Sequence, residues 1–229
     1  MRRALVLVAL AVAGCGGAAT GDGGEARLWI TRDEGGRVLY TGTVPAGLTV
    51  LQALDRAADV DTRYGGRFVQ SVDGIEGSLA RRSDWFYFVN GVSGDRSAAD
   101  YRLRDGEVAW WDYRRWSDRA EVTVVVGAFP EPFLHGYRGR RRPTHVRFER
   151  GADAAAARAL GRRVGAASVR PMSVAVPDAE NELRVVARPG FTASATSAEG
   201  PYRFVVGSGE AARLVARPAL ARFRYRGLP

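Results

Sequence analysis

Residues 84–113 read DWFYFVNGVSGDRSAADYRLRDGEVAWWDY and concentrate the large aromatics Trp85, Phe86, Tyr87, Phe88, Tyr101, Trp110, Trp111 and Tyr113. Residues 85–89 and 107–113 are rich in side chains that suit a pleated, half-buried surface, which predicts two strands. Asn90-Gly91 follows the first and Asp105-Gly106 precedes the second. Both dipeptides tolerate the positive φ angles of tight turns. A polar excursion between them joins the two aromatic strands. Alternation puts Trp85 and Tyr87 on one face and Phe86 and Phe88 on the other. A single helix covers only one face, so one aromatic row must be exposed or covered by something else.

The chain before this stretch supplies that helix. Residues 27–32 (RLWITR) and 37–44 (RVLYTGTV) flank the turn Asp33-Glu34-Gly35-Gly36 and predict a hairpin, with Leu28 and Ile30 opposite Trp29 and Thr31. Thr49, followed three residues later by Gln52, makes a capping box. Val50, Leu51, Leu54, Ala57 and Ala58 recur at helical spacing. Residues 59–66 read as a loop, and residues 67–72 as a third strand closed by Asp73-Gly74. The order β-β-α-β-β-β predicts an α+β fold: a β-grasp-like mixed sheet with one helix across it, spanning residues 26–116.

The extreme N-terminus reads as an address. Arg2 and Arg3 precede an apolar run at residues 4–13, which has the length of a signal h-region and is too short to span a bilayer. It ends in Val12-Ala13-Gly14-Cys15, which resembles a bacterial lipobox with Cys15 as the lipidated residue. Residues 1–14 are then a lipoprotein signal peptide, and the Gly-rich residues 15–25 a flexible tether. Localisation is expected at the cell membrane, lipid-anchored on the extracytoplasmic face. The membrane is a partner through Cys15, and nucleic acid is not one.

Four ordered blocks carry a family resemblance: Thr49-Val50-Leu51-Gln52-Ala53-Leu54, then Ser71-Val72-Asp73-Gly74-Ile75, then Trp85-x-Tyr87-x-Val89-Asn90-Gly91, then Ala98-Ala99-Asp100-Tyr101 through Asp105-Gly106-Glu107-x-Ala109-Trp110. Over residues 26–113 the chain resembles the transcobalamin C-terminal-like domain of secreted bacterial proteins. Glu107 stands where that pattern more often has Asp. The resemblance implies a β-rich module that covers one face of a corrinoid. It therefore implies a small-molecule, corrinoid-like ligand or a transporter component as partner. The vitamin carriers also own a helical barrel, for which this chain has no room. The run at residues 127–139 resembles a segment found beside this module in actinobacterial lipoproteins.

Residues 120–229 predict a second, small α/β domain. All 34 basic residues are arginines, as an Ala-, Gly- and Arg-rich composition suggests for a GC-rich genome. Their distribution is uneven: residues 16–118 carry a net charge of −3 and residues 119–229 a net of +10. That asymmetry suggests an anionic partner for the second half. Residues 121–126 (EVTVVV) read as a strand buried on both faces, and residues 127–143 as a long loop broken by Gly and Pro. Further strands are expected at 144–149, 173–176, 182–187 and 202–206. Asp153 should cap a helix running to about Val164, and residues 209–220 should be helical or irregular, broken by Pro218. Residues 223–229 read as frayed or as a last strand.

The candidate ligand-binding residues are Trp85, Tyr87, Asn90, Tyr101, Trp110 and Tyr113, weighed against plain core packing of the aromatics and plain turn chemistry for Asn90. Arg138, Arg140, Arg141 and Arg142 form the candidate anion-binding run, weighed against a solvated loop. Glu131/His135 and His145/Glu149 are spaced like ligand pairs. A Pro-broken loop, however, denies the first pair helical geometry, and no third ligand is marked, so no metal is expected. The single Cys excludes an internal disulfide framework. No nucleophile motif stands out, so the reading is a non-catalytic binding module without a cofactor, with an envelope adaptor as the alternative. That alternative would bind protein or an anionic polymer through the sheet and the basic second half.

Overall fold

The computed structural model describes residues 23–116 and 122–229. The signal segment, Cys15 and most of the tether lie outside the described residues. The fold is α+β. Strands β1 (Glu25–Arg32) and β2 (Arg37–Pro45) form the expected antiparallel hairpin. Helix α1 (Val50–Asp55) follows, with its capping box formed: the Gln52 amide donates to Thr49 Oγ1 at 3.1 Å and the Thr49 amide to Gln52 Oε1 at 2.9 Å.

Half of the stretch read as a loop at residues 59–66 is instead strand. β3 (Val60–Arg63), β4 (Phe68–Val72) and β5 (Ile75–Glu76) make a separate three-stranded antiparallel sheet. β3 is mostly exposed and polar, so no apolar alternation announces it. The strand at residues 68–72 therefore belongs to this ribbon and not to the main sheet.

The aromatic strands are β6 (Ser83–Val89) and, after the short β7 (Val92–Ser93), β8 (Val108–Arg115). They pair antiparallel, with Trp85 opposite Tyr113, Tyr87 opposite Trp111 and Phe88 opposite Trp110. The main sheet runs β2-β1-β8-β6-β7, with β1 and β8 parallel at its centre. Asn90 and Gly91 both take positive φ, 54° and 75°, as the turn requires.

The second half carries β9 (Thr144–Phe148), α2 (Ala154–Val164), β10 (Ser168–Pro171), β11 (Asn181–Val186), β12 (Phe191–Ala195), β13 (Tyr202–Gly207) and α3 (Ser208–Ala216). Its sheet runs β10-β9-β11-β13-β12, parallel except for the β12–β13 pair. The strand expected at residues 173–176 is displaced to β10, and β12 was not foreseen. Thr192, Ser194 and the small Ala193 and Ala195 give β12 little hydrophobic signature.

Residues 122–126 do not form the doubly buried strand. Val124 makes a single bridge to Val92, and Val126–Ala128 is a 3₁₀ turn. Their burial comes from lying between the two halves. Glu121 lies outside the described residues. Asp153 precedes α2 without a side-chain cap. It accepts from Arg150 Nε at 3.0 Å, and that hydrogen bond holds its carboxyl below the usual range.

Both faces of the aromatic pair are covered, by different parts of the chain. Trp85, Trp111 and Tyr113 share a buried cluster with Val50, Ala53 and Leu54 of α1. On the other face Trp29, Phe88, Val108 and Trp110 pack with Val125, Ala128, Phe223 and Tyr225. The C-terminal segment, read as frayed or as a strand, is therefore an irregular anchor on the first sheet. The linking run at residues 127–143 is the expected irregular loop, but part of it is buried. Phe133 and Tyr137 are fully buried, Phe133 against Phe204 with ring centroids 4.7 Å apart and Tyr137 against Tyr101 at 5.3 Å.

Candidate functional site

A cavity of about 610 Å³ opens between the small sheet and the aromatic face of the large one. Trp85, Tyr87 and Trp111 line it from the large sheet, Leu51 from α1, and Tyr64, Arg67, Phe68 and Val69 from the β3–β4 hairpin. Residues 93–98 of the excursion close the remaining side. The hairpin tip is tied across to that excursion: Ser97 Oγ donates to the Arg67 carbonyl at 2.8 Å, and the Arg67 guanidinium pairs with Asp100. Gly94 stands where any side chain would meet the Tyr87 ring, which leaves the groove its width.

The lining is built for contact with a ring. Tyr87 stacks on Trp111 with centroids 5.3 Å apart, and its hydroxyl donates to the Arg96 carbonyl at 2.7 Å. Tyr64, 80% exposed, and Phe68, 41% exposed, meet edge to face at the hairpin tip. Together they form a small exposed aromatic patch at the rim of the groove, and apolar patches that border a groove can mark ligand-binding sites. Trp111 adds a polar feature: its indole N–H is buried without a hydrogen-bond partner. Buried donors of this kind are uncommon in folded proteins and call for an acceptor.

Of the six residues the sequence marked, Trp85 and Tyr87 line this groove. Tyr113 is buried beside it, and its hydroxyl donates to the Glu76 carbonyl at 3.0 Å, while Trp85 Nε1 donates to the Ile75 carbonyl at 2.8 Å. These two side chains thus hold the small sheet against the large one. Trp110 is fully buried on the opposite face under Phe223 and Tyr225. Asn90 is fully buried too: its Oδ1 accepts from the Val108 amide at 2.9 Å and its Nδ2 donates to the Gly136 carbonyl at 2.8 Å. These two assignments as ligand contacts are corrected to structural ones. Tyr101 is buried, donating to Glu107 and accepting from the Arg138 amide. Sequence reasoning missed Tyr64, Phe68 and Arg67. The one available signal was a pair of aromatics flanking Gly65-Gly66, where an exposed hairpin tip has no packing reason to carry them.

The arginine run is partnered within the chain. Arg138 and Arg140 pair with Glu199 at 3.5 and 3.0 Å. Arg141 donates to the carbonyls of Phe133 and Gly165, and Arg142 to those of Glu199 and Ala179. The run stays partly solvated, with the Arg140 side chain 67% exposed, but each of its arginines has a partner, and most of those partners tie the linker to loops at the edge of the second sheet. Glu131 and His135 do meet, at 2.6 Å between Oε1 and Nδ1, through a turn and not a helix. His145 contacts Ser168 and Glu180, while Glu149 accepts from the Ala187 amide. Among the described residues no group of three or more His, Cys, Asp or Glu is placed to hold a metal.

Asp84 sits where the groove meets a neighbouring cavity on the other side of the hairpin. Burial pushes its carboxyl up, against a hydrogen bond from the Trp85 amide that pulls it down. The folded chain therefore holds this proton more tightly than the unfolded chain. Its contribution to stability is full below about pH 4, the ordinary carboxylate range, and is lost as pH rises through the raised value. Asp84→Asn is expected to raise the melting temperature at pH 7 and to leave it unchanged in acid. Thermal melts at the two pH values check this, and an equal change at both would exclude titration as the cause.

Residues 47–115 match the model of a domain of unknown function, DUF4430. The match takes in α1, the small sheet and both aromatic strands, which is the segment that builds the groove. Several solved structures are similar over part of the chain, two of them as follows. Haptocorrin in complex with Cbi shares 15% identity with a TM-score of 0.35, covering 41% of this chain and 25% of its own. A protein from Ruminococcus gnavus ATCC 29149, described as metal binding, shares 14% identity with a TM-score of 0.31, covering 40% of this chain and 97% of its own. The chain thus spans a quarter of the haptocorrin it matches. No curated protein matches it.

Proposed function

We propose that this chain is a non-catalytic binding module whose aromatic groove takes a ring-bearing small molecule. The observation that carries the reading is the groove of about 610 Å³ with two rings, Tyr64 and Phe68, held open to solvent at its edge. Binding clefts for small molecules have this size and this mixture of apolar walls with a few polar groups. A corrinoid is the ligand that the sequence resemblance implies. Lipidation at Cys15 would hold the module on the extracytoplasmic face of the membrane, where it presents the ligand to an uptake system. A covalent diacyl or triacyl anchor would supply the more than one chain that stable attachment needs.

Titration of the full chain with cobinamide and with neutral aromatic compounds, read by calorimetry, tests this. The double variant Tyr64→Ala/Phe68→Ala is expected to weaken binding at least about tenfold, on the scale set by burying aromatic contacts. Its effect on the melting temperature should be small, because Tyr64 is 80% exposed and Phe68 sits at the hairpin tip, 41% exposed. Failure of every ring compound to bind the wild-type chain would end the reading.

A second reading has one observation in its favour. On the face of the second sheet opposite Leu183 and Val185, Glu182 is buried among Arg147, Arg184 and Arg203 at 3.2, 2.7 and 3.8 Å. Three guanidiniums around one carboxylate leave a cationic sheet face, which suits an adaptor for an anionic envelope polymer. Co-sedimentation with such a polymer that is lost in Arg184→Glu would support it, and no co-sedimentation at low salt would remove it.

A further inference from the structure

Beside the groove lies a second cavity, of about 250 Å³, lined by Arg96, Asp100, Tyr101, Arg102, Arg104 and Arg138. Arg96 lines both cavities, so the two adjoin. Four arginines and one acidic residue line this space, and that residue, Asp100, is already paired with Arg67 from the groove. The arginines differ in how far they are neutralised. Arg96 is forked onto Asp95 at 2.8 and 3.1 Å, and Arg138 reaches Glu199 at 3.5 Å. Arg102 donates at 2.9 Å to the Gly47 carbonyl, which carries no charge. Arg104 makes a long ion pair with the buried Glu107 at 3.9 Å, without a hydrogen bond between the side chains, and is 53% exposed. Gly139 gives it room, since a Cβ there would lie 2.9 Å from Arg104 Nε.

An arginine-only chain explains why these cations are arginines. It does not explain why four of them, from three separate stretches of sequence, converge on one polar cavity. The neighbouring carboxylates offset these charges only in part, since Arg102 has no acidic partner and Glu199 is shared with Arg140, and an anion between the arginines relieves the remaining repulsion. Guanidinium forks match the geometry of phosphate oxygens. We infer that this cavity is a phosphate-binding subsite, and that the ligand of the adjoining groove carries a phosphate group. The second part rests on the binding reading proposed above, and the first stands without it.

The test uses the full chain at low ionic strength, with inorganic pyrophosphate, succinate and two naphthalene dyes as probes. N-phenyl-1-naphthylamine is neutral, and 8-anilinonaphthalene-1-sulfonate adds an anionic oxygen group to the same rings. Pyrophosphate is expected to bind, and Arg102→Ala/Arg104→Ala to weaken it at least about tenfold, since two charge-assisted contacts are lost. Arg104→Lys, which keeps the charge and loses the fork, should fall between. The sulfonated dye should bind more tightly than the neutral one, and the double arginine variant should abolish that preference while the neutral dye is unaffected. Tyr64→Ala/Phe68→Ala should weaken both dyes and spare pyrophosphate. No pyrophosphate binding, binding unchanged in the arginine variant, or succinate bound as tightly as pyrophosphate would overturn the subsite. Pyrophosphate binding with neither dye bound would overturn the groove reading and leave the subsite standing.

Discussion

Replacing Trp110 with alanine is expected to destabilise the chain by about 3–5 kcal/mol, the range for removing a large aromatic from a close-packed core. Trp110 has no exposed surface and meets four rings, with centroids at 6.2 Å (Trp29), 5.4 Å (Phe88), 5.5 Å (Tyr225) and 6.4 Å (Phe223). Its indole N–H donates to Thr31 Oγ1 at 2.7 Å, so the substitution also strips a polar partner from a buried hydroxyl. The cavity cannot close easily. Its walls are strand residues on one side and, on the other, an irregular segment already drawn tight: a Cβ on Gly127 would stand 2.7 Å from both Trp110 Cζ3 and the Arg224 carbonyl oxygen. Urea unfolding of Trp110→Ala measures the loss, with Tyr64→Ala as the exposed aromatic control, expected within about 0.5 kcal/mol of wild type. A loss under about 1 kcal/mol for Trp110→Ala would mean that the C-terminal segment does not cover this face in solution.

The same tryptophan shows how far the sequence could be read. Alternation along residues 85–89 and 107–113 separates two aromatic rows without any coordinates, and the capping box at Thr49 places the helix that covers one of them. What covers the other is not local information. Phe223 and Tyr225 alternate with Arg222, Arg224 and Arg226, a pattern that reads equally as an edge strand, and only the close approach allowed at Gly127 selects the packed anchor. The valines at 122–126 failed as a strand for the related reason that their burial is supplied by two neighbouring layers and not by a ladder of their own. The groove was half legible. Its floor is made of Trp85 and Tyr87, which the aromatic strands announce. Its outer wall is β3–β4, whose polar ribbon carries no periodic signature. The arginine run was legible as charge but not as geometry, because partners such as Glu199 and the carbonyls of Phe133 and Ala179 are distant in sequence. The arginines that converge on one cavity come instead from residues 96, 102, 104 and 138, which no charge run marks together.

Asp112→Ala should be the second large effect, at about 3–5 kcal/mol, because it leaves several buried donors without an acceptor. The carboxylate has no exposed surface. Its Oδ1 accepts from the Thr31 hydroxyl at 2.6 Å and the Gly35 amide at 3.1 Å, and its Oδ2 from the Tyr225 hydroxyl at 2.9 Å. These bonds join β8 to β1, to the first turn and to the C-terminal anchor, so one side chain ties together segments that the aromatic packing alone would leave to slide. Burial nevertheless pushes the Asp112 carboxyl up, outweighing the bonds from Thr31, Gly35 and Tyr225 that pull it down. The folded state therefore prefers the neutral form more than the unfolded state does. The contribution of Asp112 is full below about pH 4 and declines as pH rises through its raised value. Asp112→Asn keeps an acceptor for Thr31 and Gly35 and has no charge to bury. Its deficit against wild type should therefore be smaller than that of the alanine variant, and should narrow further between pH 4 and pH 7. Urea unfolding of both variants at the two pH values separates the terms. An asparagine deficit that widens with pH would show that the hydrogen bonds to the charged form, and not its burial, set the balance at this site.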